Sequence, residues 1–371
     1  MRYAGVILIL LLPSALSWAQ VPDNDWPVFR GRNDLSGSIR GELPKSPALI
    51  WSLPTSVRTK SSPVISDGVI YFGDDKGTLS AVGTEGKLKW KYETGNAIEA
   101  PPLIYSGNVV VGNSEGSMFA VNKLTGKHVW SYSTDNQIIG SANAWVAGKR
   151  SGLIFGSYDY YLHCVDPSSG KLIWKLETGN YVNGTPAVAA NRIVFGGCDG
   201  IIRITDPLTG RERDTVNIGV YIAASPALFN HKAYFGDYDG NLYCLDIISR
   251  KVVWKVPAGP NSGSILGIPA ADDNHVVIGN DDKYLYCYNA VDGRQLWKFR
   301  TNGRVTGSAV LTPSSVLCGS MDGNVYLLNL ADGRKLWSFN AGAPISSSPA
   351  VSQGRFYILT EEGRLLAFGT K

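Results

Sequence analysis

Four histidines, five cysteines and scattered carboxylates are the side chains through which this chain could hold a metal or attack a substrate. Their spacing favours neither. His128, His163, His231 and His275 lie far apart, and none stands at a metal-ligand interval from another. Cys164, Cys198, Cys244, Cys287 and Cys318 include no Cys-x-x-Cys and no adjacent pair. An odd count leaves at least one thiol unpaired. Three of them recur in one setting (YLHCVD, NLYCLD, YLYCYN) and read as small buried apolar residues. Asp237-Tyr238-Asp239-Gly240 has the start of a calcium loop, without the further oxygens and closing glutamate that such a loop needs. Turn chemistry is the expectation there, and no metal site. No nucleophile elbow, phosphate loop or dinucleotide fingerprint is present, so no catalytic residue is assigned. What remains is recognition by polar and aromatic side chains.

Those side chains are set out by a repeat. Trp51, Trp90, Trp130, Trp174, Trp254, Trp297 and Trp337 stand in near-identical surroundings, from KLKWKY to RKLWSF, at steps of 39, 40, 44, 80, 43 and 40 residues. The step of 80 hides a degenerate copy with Asp214 in the tryptophan slot, which makes eight slots. Twelve residues after a slot comes Pro63, Pro102, Ala142, Pro186, Pro226, Ala309 or Pro349; Pro269 follows Trp254 by fifteen. Between these columns lie short apolar runs separated by Gly- and Asp-rich turns such as GSMDG and ADGR, which read as consecutive antiparallel strands. A period near 40 with four strands per unit is the signature of a β-propeller.

The chain ends complement one another. A lone tryptophan strand, 48–53, opens the repeat region, and the last unit, 347–368, lacks one. The sequence therefore predicts an all-β, eight-bladed propeller of four-stranded antiparallel blades, the last closed by the N-terminal strand. Each tryptophan is expected to close a blade and lie against the next unit, with the junction at Asp214 the loosest.

The candidate site lies where the repeats differ. Four residues before the Pro/Ala column runs a mostly apolar position, from Thr59 and Ile98 to Ile345. Alternation with period two sends its neighbours the other way. Among those neighbours Arg58, Lys60, Glu99, Tyr181, Asn183, Tyr221 and Arg304 would form a mixed polar and aromatic rim at the mouth of the central channel. Such a mouth suits an anionic or sugar-like ligand.

Composition sets the class. With 42 Gly, 11 % aromatic residues and almost no helical periodicity, the 371 residues read as one β domain over 47–371. The formal charge of +4, and the lack of a basic run interleaved with aromatics, argue against nucleic acid. Residues 1–19 read as a signal peptide: Arg2, an apolar core from Val6 to Leu12, and a Ser17-Trp18-Ala19 cleavage site. That core is too short to span a bilayer, so no transmembrane segment is expected after cleavage. No cysteine stands at the cleavage site for a lipid anchor. A secreted or periplasmic monomer is the expectation. Residues 20–46, with Trp26 and Phe29, are expected to pack on the ring as an N-terminal extension.

The unit Val121-Asn122-Lys123-Leu124-Thr125-Gly126-Lys127-His128-Val129-Trp130, repeated at Val165 to Trp174, resembles the tryptophan-docking repeat of PQQ-like propellers. This fold is shared by pyrroloquinoline quinone dehydrogenases and by BamB, the lipoprotein of the outer-membrane assembly machine. The stretch from Trp26 to Gly31 resembles the opening of secreted bacterial members. The resemblance implies one of two roles. The first is an exported, non-catalytic scaffold or binding module with no cofactor, similar to BamB, whose partner is another envelope protein. The second is a dehydrogenase with quinone and calcium over the channel mouth and a catalytic aspartate. The adjacent-cysteine disulfide and the long insertions of the alcohol-oxidising members are missing here, which favours the scaffold. A carbohydrate-binding or sensor propeller is a further reading.

Overall fold

The computed structural model describes residues 25–55, 57–259 and 263–371. The expected signal peptide, 1–19, lies outside the described residues. Those described contain eight antiparallel four-stranded sheets and no helix, arranged as the blades of a propeller. Blade 1 is built from Val64–Ser66, Val69–Phe72, Thr78–Gly83 and Leu88–Glu93, counted outward from the channel, and blades 2 to 7 repeat this order. Blade 8 takes Ala350–Ser352, Arg355–Thr360 and Arg364–Gly369 from the C-terminus, and its outer strand, Ala48–Pro54, from the N-terminus. In that closing pair Leu49 faces Phe368, Trp51 faces Ala367 and Leu53 faces Leu365.

The tryptophan column makes the blade junctions. In every blade the pairing with the outer strand slips by one residue beside the tryptophan slot, as between Ala81 and Val82 opposite Trp90. Such a bulge bends the strand and re-aims a side chain, and here it turns the ring toward the next blade. The indole N–H of Trp90 donates to Lys123 O at 3.0 Å and that of Trp297 to Leu330 O at 2.7 Å, each in the following unit. The ring lies flat on a turn glycine. At Gly126, where φ is +68°, a Cβ would stand 2.8 Å from the Trp90 ring, so both the backbone angle and the space require glycine. Gly86, Gly170, Gly210, Gly293 and Gly333 repeat this against Trp51, Trp130, Trp174, Trp254 and Trp297. Trp337 meets blade 8, where the N-terminal strand replaces a turn. It packs edge-on against Phe356 and Phe368 instead, with ring centres 6.1 and 5.5 Å away.

The fourth junction is built differently. Asp214 holds the tryptophan register, opposite Ile204. Both its carboxylate oxygens lie 3.0 Å from Nη1 of Arg250, which occupies the glycine slot of blade 5 at φ +63°. A half-exposed ion pair replaces the buried ring and is worth little, about 0–1 kcal/mol. Its partner was missed in the sequence because Arg250 looks like an ordinary turn residue until it is paired with Asp214.

The N-terminal extension runs once around the channel. Trp26 exchanges both main-chain hydrogen bonds with Ile65 of blade 1, at 2.8 and 2.9 Å. Pro27 O then accepts from Ile104 N (blade 2), Asn33 O from the Asn143 side chain and Val188 N (blades 3 and 4), and Asp34 O from Leu228 N (blade 5). Ser36 O and Gly37 O accept from Ala271 N and Leu311 N in blades 6 and 7. Each contact is made to an innermost strand, a few residues further along the chain than Lys60 and its counterparts, so the strap lies across the channel beyond the Lys60 level. Arg30 is wholly buried within it and donates to the carbonyls of Ala309 and Pro269. Burial holds its guanidinium well below the usual range, at about 9, against the opposing pull of Asp34. Gly37, at φ +62°, has no room for a Cβ, which would fall 1.9 Å from the Arg30 guanidinium.

Two outcomes test this account. Replacing Asp214 by Trp and Arg250 by Gly together should install the standard junction and raise the unfolding free energy by about 1–3 kcal/mol in a urea titration. Asp214→Trp alone should destabilise, because Arg250 fills the space; a double variant no more stable than the parent contradicts the docking scheme. Gly37→Ala should cost about 2–4 kcal/mol in the same titration, from positive φ plus displacement of Arg30.

Candidate binding site at the central channel

The segment that enters each blade decides what the channel presents. Residues 58–63 and their counterparts are irregular rather than extended, and the inner strand begins only at Val64. The apolar column, Ile98 among it, is held against a glycine of the preceding blade: a Cβ on Gly73 would meet Ile98 Cγ2 at 2.1 Å. Because the segment is not a strand, the two flanking columns do not share one side, which corrects the period-two expectation. Lys60, Ile139, Asn183, Ala223, Leu266, Thr306 and Ser346 line the channel. Glu99, the eighth of that column, holds Lys60 at 3.0 Å. Arg58, Tyr181, Tyr221 and Arg304 belong to the other column and sit on the open face around the mouth; Arg58, Tyr221 and Arg304 are exposed.

One step below Lys60 the wall narrows to a ring of hydroxyls that stitches blades together. Ser348 N donates to Ser62 Oγ (2.9 Å), Ser308 N to Ser348 Oγ (3.0 Å), Ile268 N to Ser308 Oγ (2.8 Å) and Ser141 N to Thr185 Oγ1 (3.0 Å). Phe29 of the strap forms the floor. The cavity is open to solvent and measures about 240 Å³.

Charge and aromatic groups are segregated around the mouth. On the side of blades 1 and 2, the Glu99 carboxylate accepts a hydrogen bond from the Lys60 ammonium and raises its pKa, with smaller contributions from Asp75 and Glu361. Burial, more than any neighbour, pushes the Asp75 carboxyl up. Beside them, on the side of blades 3 to 5, stands an arc of tyrosines. Tyr181 stacks on Tyr158 with ring centres 4.5 Å apart and touches Tyr160 at 5.2 Å. Tyr221 meets Tyr238 edge-on at 6.4 Å. Burial pushes the Tyr158 hydroxyl up, reinforced by the nearby Cys198 and Glu99. Tyr158, Tyr160 and Tyr238 were missed as site residues because their turns (GSYDY, GDYDG) read only as hairpin chemistry; the aromatic inside those turns was the available signal.

The other polar groups singled out in the sequence are structural. Asp237 is buried and accepts hydrogen bonds from the Tyr243 hydroxyl (2.7 Å) and from the main chain and side chain of Asn241 (2.8 Å each). His163 is buried between Tyr132, at 3.0 Å, and Asp159, at 3.0 Å. Cys164, Cys244, Cys287 and Cys318 are buried and unpaired, and burial pushes their thiols up, to about 11 for Cys244 and about 12 for Cys164.

With that geometry in hand, comparison with known proteins fixes the family. The profile described as outer membrane protein assembly factor BamB matches residues 36–157, 141–213 and 198–371. The chain belongs to the BamB family. A BamB of Moranella endobia is 28 % identical over 152 residues, covering 38 % of this chain and 39 % of that protein. The matched stretch thus spans about two fifths of that relative's length. The crystal structure of BamB from Moraxella catarrhalis superposes with a TM-score of 0.73 at 19 % identity, covering 87 % of this chain and all of that one. A quinohemoprotein alcohol dehydrogenase from Comamonas testosteroni gives 0.79 at 14 % identity, over 94 % of this chain and 81 % of that one. At such identities the two structures speak for the fold alone.

The dehydrogenase likeness raises the question of quinone with calcium. Calcium takes roughly six to eight oxygen ligands, usually with several carboxylates. The wall column offers one carboxylate, Glu99, already tied to Lys60. Among the described residues, no three His, Cys, Asp or Glu side chains come close enough to share an ion. The wall column does not supply a calcium shell.

The Lys60–Glu99 pair is open to a direct check. The Lys60 ammonium should titrate above the usual lysine range by NMR, and Glu99→Gln should remove most of that shift. A raised folded pKa means the pair supports the fold below the ordinary lysine pKa and loses that support as pH rises through the folded value. The pair is half exposed, so the stability change at neutral pH should stay within about 0.5 kcal/mol.

Proposed function

We propose that this protein is an exported, non-catalytic binding scaffold of the bacterial envelope that uses no cofactor and docks another envelope protein on the open face of its propeller. The observation that carries this reading is the BamB-family match across residues 36–371. The fold gives supporting geometry. The strap, from Trp26 to Ile39, runs along the inner strands, and Arg58, Tyr221 and Arg304 lie outside the stretch it covers. Their face carries both charge and exposed aromatic area, the mixture that transient protein interfaces favour. Among the described residues no helix is long and apolar enough to cross a membrane. The monomeric state and the periplasmic or secreted location belong to the same proposal.

The experiment is affinity capture of the outer-membrane assembly complex of the same host by the purified chain, with and without Arg58→Glu plus Arg304→Glu. Retention reduced at least tenfold by the charge reversals supports the reading. Retention that ignores them relocates the surface, and no retention at all removes the assembly role. In parallel, pyrroloquinoline quinone with calcium should leave the melting temperature unchanged; a saturable rise would restore the dehydrogenase reading.

A further inference from the structure

The two ends of the blades differ in charge. Every turn joining the second and third strands of a blade holds more carboxylates than cations, from Asp74-Asp75-Lys76 in blade 1 to Glu361-Glu362 in blade 8. Antiparallel pairing puts the other turns, first to second strand and third to fourth, at the opposite end of each blade. Main-chain bonds seat those turns together, with Lys123 N on Gly107 O at 3.0 Å and Ile247 N on His231 O at 2.9 Å. At this end, over blades 2 to 5, Lys127, Lys149, Arg150, Lys171, Arg211 and Lys251 are all exposed. None of the six is in an ion pair among the described residues, whereas Lys123, Arg213 and Arg250 beside them are tied to Asp67, Asp206 and Asp214. The carboxylates of the same turns point back at their own main chain. Asp166 Oδ1 accepts from Ser168 N and Ser169 N at 3.0 and 2.9 Å, and Asp246 Oδ1 from Ile248 N and Ser249 N at 3.0 and 2.7 Å. Cations are what this sector presents outward. Aliphatic side chains stand among them. Leu124, 76 % exposed, lies three residues before Lys127; Val146, 59 % exposed, three before Lys149; and Ile248, 48 % exposed, three before Lys251. Val291 and Arg294 repeat the pairing in blade 6. One exposed aliphatic residue needs no explanation, but the same pairing on four blades at one end does.

We propose that this end of the propeller rests directly on an anionic phospholipid bilayer, through the basic sector and its aliphatic tips. A bilayer supplies both terms at once: phosphate groups for the cations, and an apolar layer just beneath them for Leu124, Val146 and Ile248. A soluble polyanion offers charge alone and leaves the tips in water. The long Lys and Arg stems let their charged heads stay at the headgroup level while the shorter aliphatic side chains dip below it. The same surface repels the acidic turns at the other end, so the chain docks in one orientation. This contact is independent of the partner proposed above. The bonds from Asp75 N to Arg58 O and from Met321 N to Arg304 O hold those two arginines at the acidic end, which leaves the partner surface facing away from the lipid.

The test takes the chain from Gln20 onward, so that the apolar run at 6–12 contributes nothing, and sediments it with vesicles of phosphatidylcholine alone or mixed with phosphatidylglycerol. Binding should be at least tenfold tighter to the mixed vesicles and should weaken as salt rises from about 0.05 to about 0.5 M. Lys127→Glu with Lys149→Glu and Arg150→Glu should weaken it at least tenfold. Leu124→Ser with Val146→Ser and Ile248→Ser should weaken it to a similar degree at low salt, by the apolar route. Both variants change exposed side chains only, so their melting temperatures should match the parent's. Capture of the assembly complex should also be the same in both, which separates a failure here from a failure of the partner reading. Three outcomes overturn the proposal: equal binding to the two kinds of vesicle; binding to mixed vesicles unchanged in either variant; or heparin, a soluble polyanion, bound as tightly as the mixed vesicles.

Discussion

The fold depends on one pairing, between Ala48–Pro54 and Arg364–Gly369. A blade alone buries only part of its apolar surface, and each blade covers its neighbour. Seven junctions can form along the chain, but the eighth has no partner until the two ends meet. The closing strand brings Trp51, which docks on Gly86 of blade 1, so one strand both completes blade 8 and seals it to blade 1. Closure also removes the two long edges that an open array would expose. The diameter of the channel, and with it the spacing of every wall residue, follows from this count of eight.

Once the ring is closed, eight equivalent positions converge on one axis, and function is a matter of which side chains fill them. Adjacent members of the wall column are unlike: Lys60 beside Glu99, then isoleucine, asparagine, alanine, leucine, threonine and serine. The hydroxyl ring beneath is nearly uniform, because it serves the fold by tying one blade's N–H to the next blade's oxygen. Scaffold and site are therefore stacked along the channel only one or two residues apart. This proximity places unpartnered hydroxyls such as Thr306 Oγ1 beside ones that accept a neighbouring blade's N–H.

Much of this was legible in the sequence. The tryptophan period, the degenerate slot at Asp214 and the complementary chain ends are local signals repeated many times, and repetition makes them robust. The wall residues were legible as a variable column. Their direction was not, because alternation applies to strands and the segment around Lys60 is irregular. Long-range pairings were also hidden. Nothing near Arg250 in the chain announces Asp214, and nothing in Trp26 to Gly37 announces that successive carbonyls will meet successive blades. The tyrosine arc assembles from inner segments and turns of different blades, so it exists only in the folded ring. Residues that act across blades become readable once the ring is drawn.

The strap has a bearing on the history of the chain. Repeat proteins change length by gaining or losing units, since each new unit needs only its neighbours. Here residues 26–39 serve seven blades in strict order, roughly one carbonyl to a blade, and buried Arg30 braces two of them. A duplicated blade would widen the ring beyond the reach of this segment and leave an inner strand unserved; a deleted one would leave strap carbonyls with no N–H to accept. The strap thus works as a gauge of ring size: a short, non-repeating sequence that ties the number of repeats to eight.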